Sequence, residues 1–352
     1  MAKNSKNSRN SGRLKVAMIA PPWFEIPPSG YGGIEAMCAV LTDGLVNLGH
    51  EVTVISAGAN GTRGQHVQTY ATPQWERIGG LQEELFHIAA AARALDRMEV
   101  DIVHNHSLGG SLLARGLSVP TVSTLHGPLT DEPGDYYRLF EKSASYIALS
   151  DSQRSGADDI NWCATVPNGV QVADYTYRAQ KEEWALFLGR CTPDKGMHLA
   201  IDIARAAGMK IRLAAKCNEP PEKEYFKTEI APRLDADVEW LGEVHGHAKT
   251  ELLSRAKCLL FPILWEEPFG LVMIEALASG TPVLALRRGS VPEVVEHGVT
   301  GIICDTAEQL TYALKEVSDI DPRKCREAAV RRFDASVMAM RYEAAYRDLI
   351  AR

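Results

Sequence analysis

The chain has 352 residues, 45% of them hydrophobic and 24% charged, with a formal net charge of -7. That length suits two domains of ordinary globular composition. The acidic balance excludes nucleic acid as the main partner, because a phosphate backbone needs a basic footprint, and no apolar run approaches the roughly 18–20 residues of a membrane span.

The opening MAKNSKNSRNSGRLK lacks the apolar core of a signal peptide and reads as a disordered tail over 1–13, with at most peripheral membrane contact. From residue 14 short apolar strands alternate with helical patterns. LKVAMIA stops at Pro21-Pro22, and IEAMCAVLTDGLVNLGH has helical spacing and closes on Gly49. EVTVIS, a helix over 79–97, DIVHNH, a further helical stretch, TVSTLH, a helix near 135–144 and SYIALS follow. The polar, turn-rich PNGVQVADYTYRAQKEE over 167–183 interrupts the pattern. It restarts with WALFLG, a helix over 196–207, KIRLAA, a helix over 222–233, VEWLG, a helix over 247–256, CLLFPI, a helix after Phe269, and PVLAL. Helices over 306–318 and 322–333 lead to SVMAMRYEAAYRDLI, whose helical period suits a return to the first half.

Such alternation implies parallel sheets with helices on both faces. The expected fold is α/β: two Rossmann-like domains, 14–175 and 180–334, facing across a cleft, with 335–352 packing back on the first. Seven cysteines without a CxxC pair read as small buried residues of a reducing cytosol, so a cytoplasmic chain without disulfides or a zinc centre is expected.

Ligands bind beyond the carboxyl ends of parallel strands, and the informative residues lie there. After CLLFPI comes EEPFGLVMIEALASGTP, with Glu267 before a helix start and Glu275 inside the helix. Amides at a helix start favour phosphate and carboxylates accept from hydroxyl pairs, so the stretch suits a phosphate ligand flanked by hydroxyls. The bland reading makes Glu267 a first-turn acid and Glu275 a salt-bridge partner. Arg190 and Lys195 in GRCTPDKG follow WALFLG and precede a helix, where cations can clamp a diphosphate or simply be solvated. Gly30, Gly32 and Gly33 in PPSGYGGIE allow close backbone approach, but the G-x-G-x-x-G dinucleotide spacing is absent. His126 closes TVSTLH at the cleft. His104 with His106, and His245 with His247, are H-x-H pairs without further ligands, and the DAD of 235–237 precedes its strand and reads as a polar turn.

Together these features resemble the retaining glycosyltransferases of family 4, which have the GT-B fold. EPFGLVMIEALASGTPVLA fits the E-x7-E motif as Glu267 and Glu275, GRCTPDKG fits G-R-x-x-x-x-K-G, and GGIE fits the N-terminal glycine loop. The resemblance implies a nucleotide-diphosphate sugar donor, a UDP- or GDP-sugar, with a small-molecule, glycan or lipid acceptor and neither metal nor cofactor. It implies that Arg190 and Lys195 hold the diphosphate, helped by the amides of Phe269, Gly270 and Leu271 and approached by Gly32 and Gly33. Glu275 would take the ribose, Glu267 the sugar hydroxyls near the reacting carbon, and His126 the sugar near its C6 hydroxyl. The sequence departs from the family at Gln171, where an acid is usual, and at LAAKCNEPP, which puts Lys216 where a glycine-rich loop is usual. A nucleotide-sugar epimerase or a non-catalytic nucleotide-sugar sensor are the alternatives on the same scaffold; an NAD-dependent oxidoreductase is disfavoured by the missing fingerprint.

Overall fold

A computed structural model describes residues 12–352 apart from 131 and 141. Most of the tail expected over 1–13 therefore lies outside the described residues. Two parallel sheets follow one another along the chain. The first holds β1 (Lys15–Ile19), β2 (Glu51–Ala57), β3 (Gln65–Tyr70), β4 (Ile102–Asn105), β5 (Thr121–Thr124), β6 (Ser145–Ala148) and β7 (Trp162–Thr165), in the order β3-β2-β1-β4-β5-β6-β7. The second holds β8 (Trp184–Arg190), β9 (Lys210–Lys216), β10 (Val238–Gly242), β11 (Cys258–Phe261), β12 (Val283–Leu286) and β13 (Gly301–Cys304), in the order β10-β9-β8-β11-β12-β13. Strand order reverses between β1 and β4 in one sheet and between β8 and β11 in the other, and such switch points open the crevice where ligands bind.

Side chains alternate across each strand, so each sheet serves two cores. Val16 and Met18 of β1 pack with the helix Gly33–Asn47, whereas Ala17 and Ile19 pack under Leu81–Leu95. In β8, Leu186 enters one core and Ala185 and Phe187 the other. Burial on both faces is why these strands read as continuous apolar runs.

Three strands escape sequence reading because they are edges or short. The β3 sequence QHVQTY has no fully buried residue, and all four residues of β7 are only half buried. The four-residue β13 contains Gly301, where a Cβ would lie 1.9 Å from the Val283 carbonyl oxygen. The helix expected over 222–233 is in fact Pro220–Tyr225, one π-helical turn Phe226–Ile230 and a 3-10 turn Ala231–Arg233. The helix expected near 135–144 lies earlier, at Glu132–Arg138.

The chain passes between the sheets twice, and the two passages touch. The Val170 amide donates to the Phe333 carbonyl at 2.9 Å, and the Ala335 amide returns a bond to Val170 at 2.9 Å. Asp334 then caps the helix Ala335–Ala351 by accepting from the Ser336 amide at 3.1 Å. That helix buries Met338, Tyr342 and Tyr346 in the first domain's core. Small residues allow the approach: a Cβ on Gly44 would lie 2.8 Å from that of Ala339.

Candidate active site

Between the carboxyl ends of the two sheets lies a cleft of about 1120 Å³. It is lined by every residue to which the family resemblance gave a role: Gly32, Gly33 and His126 from the first domain, and Arg190, Lys195, Phe269, Gly270, Leu271, Glu267 and Glu275 from the second; His104, His106, His247, Asp235 and Asp237 lie outside it.

Arg190 ends β8 in register with Lys216, which ends β9. Both point at the turn that opens the next helix. Arg190 Nε donates to Glu222 Oε1 at 3.1 Å and Nη2 to Glu219 Oε2 at 3.4 Å. Lys216 Nζ donates to Glu219 Oε1 at 2.5 Å and lies 3.4 Å from both oxygens of Glu222. Glu222 is 1% exposed. Burial alone would raise its carboxyl, but the amides of Glu219 and Asn218, with Lys216 and Arg190, outweigh it and hold the group below the usual carboxylate range. A buried carboxylate carrying two cations fixes where their remaining donors point. Glu222 leaves no trace in the sequence pattern, because it sits in an ordinary polar stretch and only the fold brings it beneath Arg190.

Lys195 closes the 3-10 turn Pro193–Lys195. Gly196, at φ 73°, then starts the helix Met197–Ala207. The Lys195 ammonium bonds Glu267 and stands 4.8 Å from the centroid of the Trp265 ring. Glu267 lies in irregular backbone, so helical periodicity does not relate it to Glu275. Its main chain is held by Ser290, whose amide donates to the Glu267 carbonyl at 2.9 Å while its hydroxyl donates to that of Phe269 at 2.7 Å. Gly270, at φ 75°, begins the eight-residue helix Leu271–Ala278, and among the described residues no side chain caps it. Its first amides are thus free to meet an anion.

Glu275 is held at one oxygen. Oε1 accepts from Tyr175 Oη at 2.9 Å and from Lys249 Nζ at 2.6 Å, leaving Oε2 for another partner. Lys249 lies on the helix Gly246–Arg255 just after β10. That strand-exit position was a legible signal that the sequence reading passed over. Tyr175, from the polar linker, carried no such signal.

The glycine loop reaches across the cleft. The Tyr31 amide donates to Glu243 Oε1 at 2.9 Å, Asn218 Nδ2 donates to Glu243 Oε2 at 3.3 Å, and the Lys216 ammonium stands 5.1 Å from the Tyr31 ring centroid. Gly32 has φ 148°, and a Cβ on Gly33 would lie 3.3 Å from Leu271 Cδ1 of the opposite domain. His126 follows β5, and its Nε2 lies 3.0 Å from His106 Nδ1.

Among the described residues no group of three His, Cys, Asp or Glu is placed to hold a metal ion. Asp235 instead accepts from Arg205 at 2.7 Å in the turn before β10. No described helix is long and apolar enough to cross a membrane, and all seven cysteines are unpaired.

Comparison with known proteins agrees with this geometry. Residues 31–174 match Glycosyltransferase Family 4, and residues 176–332 match Glycosyl transferases group 1. The phosphatidyl-myo-inositol mannosyltransferase of Mycolicibacterium smegmatis is 25% identical over 93% of this chain and 92% of its own. The crystal structure of AviGT4, a glycosyltransferase involved in avilamycin A biosynthesis, is 29% identical, superposes with a TM-score of 0.75, and covers 96% of this chain and 98% of its own. The Anabaena Alr3699/HepE structure in complex with UDP and glucose shares the fold at 19% identity and a TM-score of 0.74, over 95% of this chain and 100% of that one. Two facing parallel-sheet domains, a cleft carrying E-x7-E and G-R-x-x-x-x-K-G, and matches over both halves lead to one conclusion: the chain is a GT-B glycosyltransferase of family 4.

Proposed function

We propose that the chain transfers a hexose-type sugar, with retention, from a nucleotide-diphosphate sugar to an acceptor hydroxyl by a metal-independent front-face route. The observation that carries this reading is convergence. Arg190, Lys195 and the uncapped start of helix Leu271–Ala278 meet in one cleft that the carboxylates Glu267 and Glu275 also line. This pattern suits a diphosphate between two hydroxyl-bearing groups, the nucleoside ribose and the sugar.

In this reading the bond from C1 to the phosphate oxygen breaks, and the diphosphate leaves with the electron pair. The acceptor oxygen bonds C1 on the same face, and its proton passes to the departing phosphate oxygen. Charge develops on that leaving group, where preorganised donors lower the barrier most. Arg190 has five donors and commits two of them to Glu219 and Glu222, while Lys195 has three and commits one to Glu267. Both keep donors for phosphate, which is how cations can replace a metal. The amides of Phe269, Gly270 and Leu271 assist, and Gly32 and Gly33 approach from the other domain. Glu275 takes the ribose through Oε2, Glu267 orients the sugar near C1, and His126 meets the sugar near C6. The UDP and glucose bound in the HepE structure favour a UDP-sugar, and the likeness to a mannosyltransferase leaves other hexoses open. The acceptor is a small molecule, glycan or lipid. Action in the cytoplasm, with membrane contact at most peripheral, is part of the same proposal.

The test is thermal stabilisation by a panel of UDP- and GDP-sugars, followed by sugar transfer and hydrolysis assays with and without chelator. A ligand at 100 times its dissociation constant stabilises by about 2.7 kcal/mol. A selective shift identifies the donor; no shift with any of them rejects the diphosphate site. Glu267→Ala is expected to lose transfer far more than nucleotide affinity, and equal losses would remove Glu267 from the sugar. Strong chelator inhibition reversed by magnesium would refute the metal-free route.

A further inference from the structure

A row of imidazoles runs behind the cleft wall and ends at His126. His104 and His106 sit two residues apart, in and just past β4, and so share one face. Their ring centroids are 4.0 Å apart, and those of His106 and His126 are 5.3 Å apart. His104 is fully buried and His106 is 5% exposed. The far end is anchored on helix Ala335–Ala351: Tyr346 Oη lies 2.6 Å from His104 Nδ1, His104 Nε2 lies 2.8 Å from Thr124 Oγ1, and Thr124 Oγ1 lies 3.0 Å from Tyr342 Oη. The near end is the 3.0 Å contact of His106 Nδ1 with His126 Nε2.

Burial favours the neutral form of all three rings. Burial pushes His104 down to about 3, His106 well below its ordinary value and His126 to about 4. Among the described residues no carboxylate is bonded to any of them to oppose this. Two neutral imidazoles that share a bond need one N–H and one lone pair, which leaves two arrangements. If His126 donates, the His106 proton sits on Nε2, which is buried and has no partner. A buried N–H without an acceptor is rarer than an under-used acceptor. If His106 donates from Nδ1, only a lone pair is left bare at Nε2. His126 then accepts at Nε2 and carries its own proton on Nδ1. That nitrogen has no partner among the described residues, and His126 lines the cleft.

We infer that His106 is a positioning residue that holds His126 as the Nδ1–H tautomer, so that a neutral N–H donor, and not a base, faces a hydroxyl oxygen of the donor sugar. The contact with the sugar rests on the nucleotide-sugar reading above; the tautomer does not. His106 never touches substrate. It acts by removing the choice of tautomer from His126, which would otherwise present a lone pair and suit a different hydroxyl orientation. The crossover helix holds the first ring of the row, so the first domain's packing bears on the cleft through three rings in tilted contact.

The experiment is a two-bond proton–nitrogen correlation spectrum of the full chain with nitrogen-labelled histidine, without ligand, with His126 identified by its loss in His126→Gln. The expected result is a neutral His126 protonated at Nδ1; protonation at Nε2 overturns the inference. His106→Leu removes the donor and should return His126 to Nε2–H, whereas His106→Asn, whose side-chain amide reaches the same place, should keep Nδ1–H. An unchanged tautomer in His106→Leu would also overturn it. Calorimetry then compares whichever of UDP-glucose and GDP-mannose the wild type binds with its bare nucleoside diphosphate. His106→Leu should weaken the sugar nucleotide about tenfold and leave the diphosphate unchanged, as loss of one bond to the sugar requires. Equal weakening of both would refute the sugar contact. Absence of binding to either nucleotide sugar rejects the donor reading and leaves the tautomer to stand on the spectrum, which also decides the matter if His106→Leu does not fold.

Discussion

Gly196 joins backbone geometry to the site, and replacing it tests that link. Its φ is 73°, and a Cβ there would lie 2.1 Å from the Pro262 carbonyl oxygen, at the exit of β11. Gly208, at the other end of the same helix, has φ 70° and nothing within 4 Å of its would-be Cβ. Gly208→Ala therefore isolates the left-handed backbone penalty, about 1–2 kcal/mol. Gly196→Ala incurs the same penalty plus a collision. A carbon approaches a carbonyl oxygen no closer than roughly 3.3 Å, so main chain must move by about 1.2 Å. Overpacking of this kind costs about 1–3 kcal/mol more. At about 2–4 °C per kcal/mol for a unit of about 150–250 residues, the size of the second domain unfolding by itself, Gly208→Ala should lower the Tm of that domain by about 5 °C and Gly196→Ala by about 10 °C. The movement falls on the turn Pro193–Lys195, where the Leu264 amide donates to the Asp194 carbonyl at 2.8 Å and Lys195 meets Glu267. Calorimetry of the full chain, paired with donor affinity, reads both effects. Gly196→Ala should lose affinity and Gly208→Ala should not. Equal shifts in Tm with equal affinities would refute the reasoning, since they would mean that the loop yields freely and does not hold Lys195.

Two further outcomes follow, one from the first domain and one from the contact between the domains. Burial raises the Glu35 carboxyl from 4.5 to about 7, against the opposing bonds from the amides of Glu35 and Phe24. The folded chain thus keeps a proton that the unfolded chain has lost, and this stability is full below pH 4.5 and is lost as pH rises through 7. Glu35→Gln should gain on the wild type between pH 4.5 and 8 by on the order of 3 kcal/mol, at about 1.4 kcal/mol per pH unit; a difference that does not change with pH in urea unfolding would contradict it. Glu243 joins the Tyr31 amide to Asn218, so Glu243→Ala should loosen the contact between the domains and raise the radius of gyration of the unliganded chain in small-angle scattering. An unchanged radius would show that other contacts keep the cleft closed.

The strands buried on both faces were legible because they must be continuous apolar runs, and KVAMI and CLLF are such runs. The edges were not: QHVQTY is half solvated and has the composition of a loop, so only its pairing to β2 makes it a strand. The site divides the same way. Arg190, Lys195, Glu267 and Gly270 lie between a strand exit and a helix start, and Gly32 and Gly33 lie at a helix start, local arrangements that spacing reveals. Their partners come from elsewhere in the chain. Tyr175 reaches Glu275 across 100 positions, and Tyr346 reaches His104 across 242. The sequence by itself determined two α/β halves and a set of candidate positions at strand exits and helix starts, since these rest on periodicity and adjacency. Which carboxylate holds which cation, and which ring nitrogen faces the cleft, was decided only by tertiary structure, because buried polar groups are satisfied by whatever the fold brings near them.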